Sequence, residues 1–306
     1  MPDIKKFMDK SLSAVQRGAK SFNETVAPKI GKAVNDATES AGKAIADGSD
    51  KIASVGKNAK DTVMNQLDVN HDGNVDIVDI ITLGLKTPGI KVNREQFLKK
   101  ELTIHYDEET VKKAIAKTPV AAKIPAEDID KIADAVIQYE RYFVSGISTA
   151  LGAPGGAAMV ATIPADIIQY YGYMLRAAQK LMYLYGFPQI VSEDDETQID
   201  SATMNLLVVA MGVMFGVAGA NNAVKAMAKA LGNGVEKQLM RRALTKGTIY
   251  PIVKSIAKWF GVRMTKEVFS GFFKKAIPVV GGVIGGGITY VSFKPCCERL
   301  KESLKD

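Results

Sequence analysis

Apolar residues recur at helical spacing along the N-terminal segment. Ile4, Met8, Leu12, Val15, Ala19, Phe22, Val26, Ile30, Val34, Ala37, Ala41 and Ile45 follow one another at steps of three or four. The mean step is about 3.7, nearer an 11-residue than a 7-residue repeat. Pro28 interrupts the stripe, so two helices are predicted rather than one. The apolar face is thin and many of its members are small. Such a segment can lie on a membrane, pack on the body of the protein or stay partly disordered.

The pattern changes beyond residue 60. Asp76 to Lys86 reads as one helix, closed by the turn residues Thr87, Pro88 and Gly89. A second short helix is predicted from Asn93, because Asn93-Arg94-Glu95-Gln96 has the form of a capping box. From Asp107 to the end only helical periodicity appears; Ile129, Ile132, Ala133, Val136 and Phe143 form one amphipathic face. Strand-type alternation is absent, so the fold class is all-α, a helical bundle. Three stretches carry no charge: Tyr142–Ala165, Ser201–Val224 and Ala276–Phe293. Each approaches the length that spans a bilayer, and each is glycine-rich, which suits close helix packing in water or in lipid. They read as glycine-rich helices, buried in the bundle or membrane-associated. The chain thus divides into an amphipathic segment at 1–60, a short unit at 61–105 and a large helical part at 106–306.

Composition adds a location and a charge asymmetry. Apolar residues make up 47% of the 306, which excludes wholesale disorder. Cys296 and Cys297 are adjacent, a poor geometry for a structural bridge, so a reducing cytoplasmic setting is expected. No apolar stretch of the secretory kind follows the polar N-terminus. Residues 61–220 hold 13 Lys/Arg against 21 Asp/Glu, a net of −8, and residues 221–306 hold 16 against 5, a net of +11. The basic last third calls for an anionic partner. It runs beside apolar stretches and contains no nucleic-acid motif, which favours anionic lipid over nucleic acid. Lys254, Lys258, Arg263, Lys266, Lys274 and Lys275 flank Trp259, Phe260, Phe269, Phe272 and Phe273. Cations beside aromatic rings suit a membrane interface.

The run Asp68-Val69-Asn70-His71-Asp72-Gly73-Asn74-Val75-Asp76-Ile77-Val78-Asp79 has the spacing of a single EF-hand loop. Calcium needs six to eight hard oxygen ligands. Here Asp68, Asn70, Asp72, Asp76 and Asp79 would offer side chains, Asn74 its carbonyl, and Gly73 the sharp turn. Asp76 would act through water, and His71 would point away. With Asp79 where Glu is usual, Asp68 to Lys86 resembles a dockerin repeat. A lone loop of this kind reads as a structural calcium clip rather than a sensor.

A second constellation follows Pro164. Asp166, Gln169, Tyr173, Arg176, Lys180 and Tyr183 recur at alternating steps of three and four, which places all six on one helix face. The same helix carries Met174, Leu181 and Leu184, so it is expected to be buried. Asp166 and Arg176 would then need each other or other partners. They form either a structural ion pair or the lining of a binding or catalytic pocket. Gly155-Gly156, Thr162-Ile163-Pro164-Ala165-Asp166, Leu175-Arg176 and Tyr183-Leu184-Tyr185-Gly186, with the later Ile277 to Gly286 run, resemble the bacterial EcsC family over residues 107–300. That resemblance implies a helical, cytoplasmic, often membrane-associated protein and no defined reaction.

No nucleophile–His–acid set is visible. The two histidines, His71 and His105, stand outside apolar motifs, and no phosphate-cradling loop occurs. The first reading is therefore a calcium-binding, non-catalytic protein, peripheral on the inner face of the cell membrane, that binds or reshapes anionic lipid. The alternative is a cytoplasmic enzyme with a pocket lined by Asp166 and Arg176.

Overall fold

The computed structural model describes residues 67–69, 71–152, 158–191, 199–232, 237–261 and 281–305. The N-terminal stripe at 1–60 lies outside them. Among the described residues all regular structure is helical. In chain order the helices are α1 Ile77–Lys86, α2 Arg94–Leu102, α3 Glu108–Ala116, α4 Ala126–Gly152, α5 Ala158–Leu184, α6 Ser201–Met214, α7 Ala220–Gly232 and α8 Lys237–Lys246. Residues 250–261 form α9, and α10 is Gly281–Leu304.

The starts of the short helices follow from their caps. Asp76 Oδ1 accepts from the Val78 and Asp79 amides at 2.7 and 3.2 Å, and Asp79 Oδ2 accepts from the Asp76 amide at 2.9 Å. This reciprocal box closes the first turn of α1. Asn93 accepts from the Gln96 amide at 3.0 Å and opens α2 where the sequence predicts it. Asp107 and Asp200 cap α3 and α6 in the same way.

Two long helices carry the architecture. α5 packs against α4 on one side and α1 on another, α10 runs along α4, and α6 is enclosed by α7, α8 and α10. Met174, Leu175, Leu181, Met182 and Leu184 of α5 are fully buried in one core with Ile77, Ile80, Leu98, Val209 and Phe293. Each such side chain contributes roughly 1.5–3 kcal/mol of apolar burial. Two glycines permit the closest crossings. A Cβ on Gly84 would stand 3.1 Å from Leu175 Cδ1 and 3.3 Å from Gly172 Cα, and one on Gly212 would stand 2.8 Å from Ile256 Cδ1.

Side chains of α5 tie down the segment between α1 and α2. Gln179 Oε1 accepts from the Val92 amide at 3.2 Å while its Nε2 donates to the Ile90 carbonyl at 3.0 Å. This one side chain thus satisfies a backbone carbonyl and a backbone amide two residues apart. Arg94 donates to the carbonyls of Phe187, Ala114, Ile115 and Lys117 at 2.9, 3.3, 2.6 and 3.0 Å. It thereby satisfies carbonyls left open at the C-terminal end of α3.

The uncharged stretch Ser201–Val224 is not one long helix. It breaks after Met214, turns over residues 215–219 and restarts at Ala220. The 14 residues of α6 extend about 21 Å, short of the ~30 Å hydrocarbon layer. Among the described residues no helix is long and apolar enough to cross a membrane.

Candidate functional site

Glu140 lies on α4 with its side chain fully buried. It sits one turn beyond Val136 and two beyond Ala133, inside the apolar stripe that packs α4 against its neighbours. A carboxylate there demands partners, and α5 supplies them. Lys180 Nζ donates to Glu140 Oε1 at 2.6 Å, and Arg176 Nε lies 3.3 Å from the same oxygen. Glu140 Oε2 has no hydrogen-bond partner among the described residues.

Aromatic rings wall the centre. Lys180 Nζ stands 5.6 Å from the centroid of Phe97 and 5.5 Å from that of Tyr139. Tyr139 stacks on Phe143 at 6.1 Å, and Phe143 meets Tyr173 at 5.2 Å. Arg176 lies over the edge of this wall, 5.6 Å from the Tyr173 ring, and its side chain keeps 20% of its exposure. It is the member of the cluster nearest solvent; the Lys180 side chain keeps 9% and Glu140 none.

Among the described residues the charges do not balance. One carboxylate faces two cations, and the neighbouring Lys100–Glu101 pair at 3.7 Å adds no net charge. Burial pushes the Glu140 carboxyl up, but Arg176 and Lys180 outweigh it and hold the group below the ordinary carboxylate range. Burial, helped by the adjacent Arg176, pulls the Lys180 ammonium down against the attraction of Glu140. Burial drives the Tyr173 hydroxyl well above its usual value. The buried centre therefore holds a carboxylate, an excess cation and a neutral phenol within one helix–helix seam.

The six residues of the predicted polar face fare differently. Gln169, Tyr173, Arg176 and Lys180 do face α4: Gln169 Nε2 reaches the Val144 carbonyl at 3.5 Å, while its Oε1 has no hydrogen-bond partner among the described residues. Tyr183 serves the scaffold instead, donating to the Val92 carbonyl at 3.1 Å and accepting from the Ile190 amide at 3.2 Å. The side chain of Asp166 lies outside the described residues. The partner of Arg176 is Glu140. Sequence reasoning passed over Glu140, although a carboxylate interrupting the stripe Ile129, Ala133, Val136 was its legible signal.

The calcium reading of the acidic loop is corrected. Among the described residues no group of three His, Cys, Asp or Glu side chains could hold a metal ion. Asp68 turns both oxygens on the amides of Asp72 and Gly73, at 3.2 and 2.8 Å. Asp72 accepts from the Asn74 amide at 2.8 Å. Asp76 and Asp79 close the helix cap, and Asp79 Oδ1 also accepts from Val69 at 3.1 Å. The carboxylates thus stabilise the backbone of the turn and the start of α1 rather than converging on an ion. Asn70 lies outside the described residues.

The reading of a calcium-binding protein that acts on anionic membranes falls with it. Of the aromatic residues in that segment, Phe260 is buried and packs on Phe215 at 5.3 Å, Trp259 is half-buried 5.0 Å from Phe260, and Phe269, Phe272 and Phe273 lie outside the described residues. Lys254 and Lys258 stand exposed on the other side of α9. Arg263, Lys266, Lys274 and Lys275 lie outside the described residues. Cys296 and Cys297 are free and buried on α10.

Fold and site together define a helical domain built around a buried, charge-unbalanced ionic centre. No protein-family model, no curated protein and no solved structure matches the chain.

Proposed function

We propose that the chain binds a small anionic molecule at the seam between α4 and α5, with Arg176 as its first contact and Glu140 at its inner end. The observation that carries this is the excess cation beside an unpartnered, fully buried carboxylate oxygen. A buried charge without a counterion costs several kcal/mol, and a buried acceptor without a donor costs about 1–3 kcal/mol. A ligand that carries both an anionic group and a hydrogen-bond donor relieves both costs at once. Its anion meets Arg176 and Lys180, and its N–H or O–H meets Glu140 Oε2. An α-hydroxy carboxylate is the simplest molecule of that description.

Calorimetry with glycolate, acetate and inorganic phosphate tests the binding. Glycolate should bind more tightly than acetate, and Arg176→Met should abolish the heat while leaving the helical circular dichroism intact. Silence from all three anions, or undiminished binding by Arg176→Met, overturns the proposal.

A further inference from the structure

The seam between α4 and α5 holds a second buried acceptor besides Glu140. Gln169 is 7% exposed, and its Oε1 has no hydrogen-bond partner among the described residues. Its Nε2 reaches the Val144 carbonyl at 3.5 Å, so the amide lies against α4. Val144 follows Glu140 at i,i+4, on the same face of α4 and about 6 Å along it. On α5, Gln169 shares a face with Arg176 and Lys180, the partners of Glu140. The two orphaned acceptors therefore belong to one helix–helix seam, about one turn apart along α4. What joins their levels is aromatic: Phe143 of α4 meets Tyr173 of α5 at 5.2 Å, and Arg176 lies 5.6 Å from the Tyr173 ring.

A buried acceptor is costly until a donor reaches it, and the chemistry of the seam selects the donor. An amine would donate, but it would add positive charge where one carboxylate already faces two cations. An apolar extension of the ligand would leave Gln169 Oε1 unpaired. A hydroxyl donates without charge, and the rings give the C–H bonds of the chain that carries it an apolar contact. Resting on the binding reading above, we infer that the ligand is a polyhydroxy monocarboxylate, the chemistry of a sugar acid. Its carboxylate meets Arg176 and Lys180, its 2-hydroxyl donates to Glu140 Oε2, and a hydroxyl further along the chain donates to Gln169 Oε1. Gln169 is then the residue that selects for hydroxyls beyond the first.

Calorimetry of the full chain with gluconate, 2-hydroxyhexanoate and glycolate tests this. Gluconate should bind roughly tenfold more tightly than glycolate, the worth of about one hydrogen bond to a buried acceptor. It should also bind more tightly than 2-hydroxyhexanoate, which matches its chain length but lacks the further hydroxyls. Gln169→Met keeps the side-chain length and removes the acceptor. It should cancel the gluconate advantage and leave glycolate affinity unchanged, which also reports that the variant is folded. Glycolate binding without a preference for gluconate, or a preference that survives Gln169→Met, overturns the inference and leaves the binding reading standing. Silence from all three ligands removes both. If Gln169→Met loses its helical circular dichroism, the ligand series on the unaltered chain still decides: gluconate no tighter than 2-hydroxyhexanoate overturns the inference.

Discussion

Replacing Glu140 by Gln should be the most damaging single change at the ionic centre, and replacing Lys180 by Met one of the milder. Both residues share the 2.6 Å hydrogen bond, so a simple count of lost contacts gives them equal weight. The charges do not. Glu140→Gln leaves Arg176 and Lys180 facing each other in a buried seam with no carboxylate between them, at a cost of roughly 3–5 kcal/mol. Lys180→Met leaves a neutral Glu140–Arg176 pair at 3.3 Å and fills the space between Phe97 and Tyr139 with an apolar chain. It loses one charge-assisted hydrogen bond but also the repulsion from Arg176, for a net cost of about 1–2 kcal/mol. The double variant Glu140→Gln/Lys180→Met removes one charge of each sign and should recover part of the larger loss, the signature of coupling in a double-mutant cycle. Urea unfolding followed by circular dichroism measures all three, with the slope m held constant as the check that only stability changed. The larger cost corresponds to a fall in Tm on the order of 10 °C. If Glu140→Gln costs no more than Lys180→Met, the excess cation does not govern this centre, and the binding proposal loses its motive.

Other expectations follow from the same contacts. Arg94→Met should cost about 2–3 kcal/mol, because four backbone carbonyls lose a charged donor; Arg94→Lys should rescue little, since an ammonium cannot copy the guanidinium fork, and thermal melts compare the two. Gly212→Ala should destabilise by about 1–3 kcal/mol through the clash with Ile256, and Ile256→Val in the same chain should restore part of it. At high pH, Tyr183 ionises late: burial pushes its hydroxyl up to about 12 from the ordinary 10.0. A raised pKa means the unfolded chain loses this proton first, so stability present below pH 10.0 declines as pH rises to about 12. Glu140 works in the opposite direction. Its folded pKa is held below the ordinary 4.5, so its stabilisation is present above that value and is lost as pH falls through the depressed one. Calcium or a chelator should leave Tm unchanged, since the loop carboxylates are engaged with backbone amides; a rise in Tm with calcium would reinstate the ion.

Much of the local structure was legible in the sequence because it is written in local chemistry. Asp76 and Asn93 announce helix starts through groups a few residues away, and the stripe Ile129, Ala133, Val136 repeats at the period of the helix it forms. The polar face Gln169, Tyr173, Arg176 and Lys180 was legible for the same reason, since helix geometry alone puts those residues side by side. What they face was not. Glu140 stands 36 and 40 positions before Arg176 and Lys180, and only the packing of α4 on α5 brings its oxygen between them. The acidic loop shows the converse. Its spacing fits a calcium cage, but spacing fixes which residues can approach, and the tertiary turn decides whether their oxygens converge on an ion or on backbone amides. The basic last third divides in the same way. Composition determined its charge, while the burial of Phe260 against Phe215 on one side of α9, with Lys254 and Lys258 left on the other, was decided by the core, because apolar rings leave water wherever a neighbouring helix offers them a place.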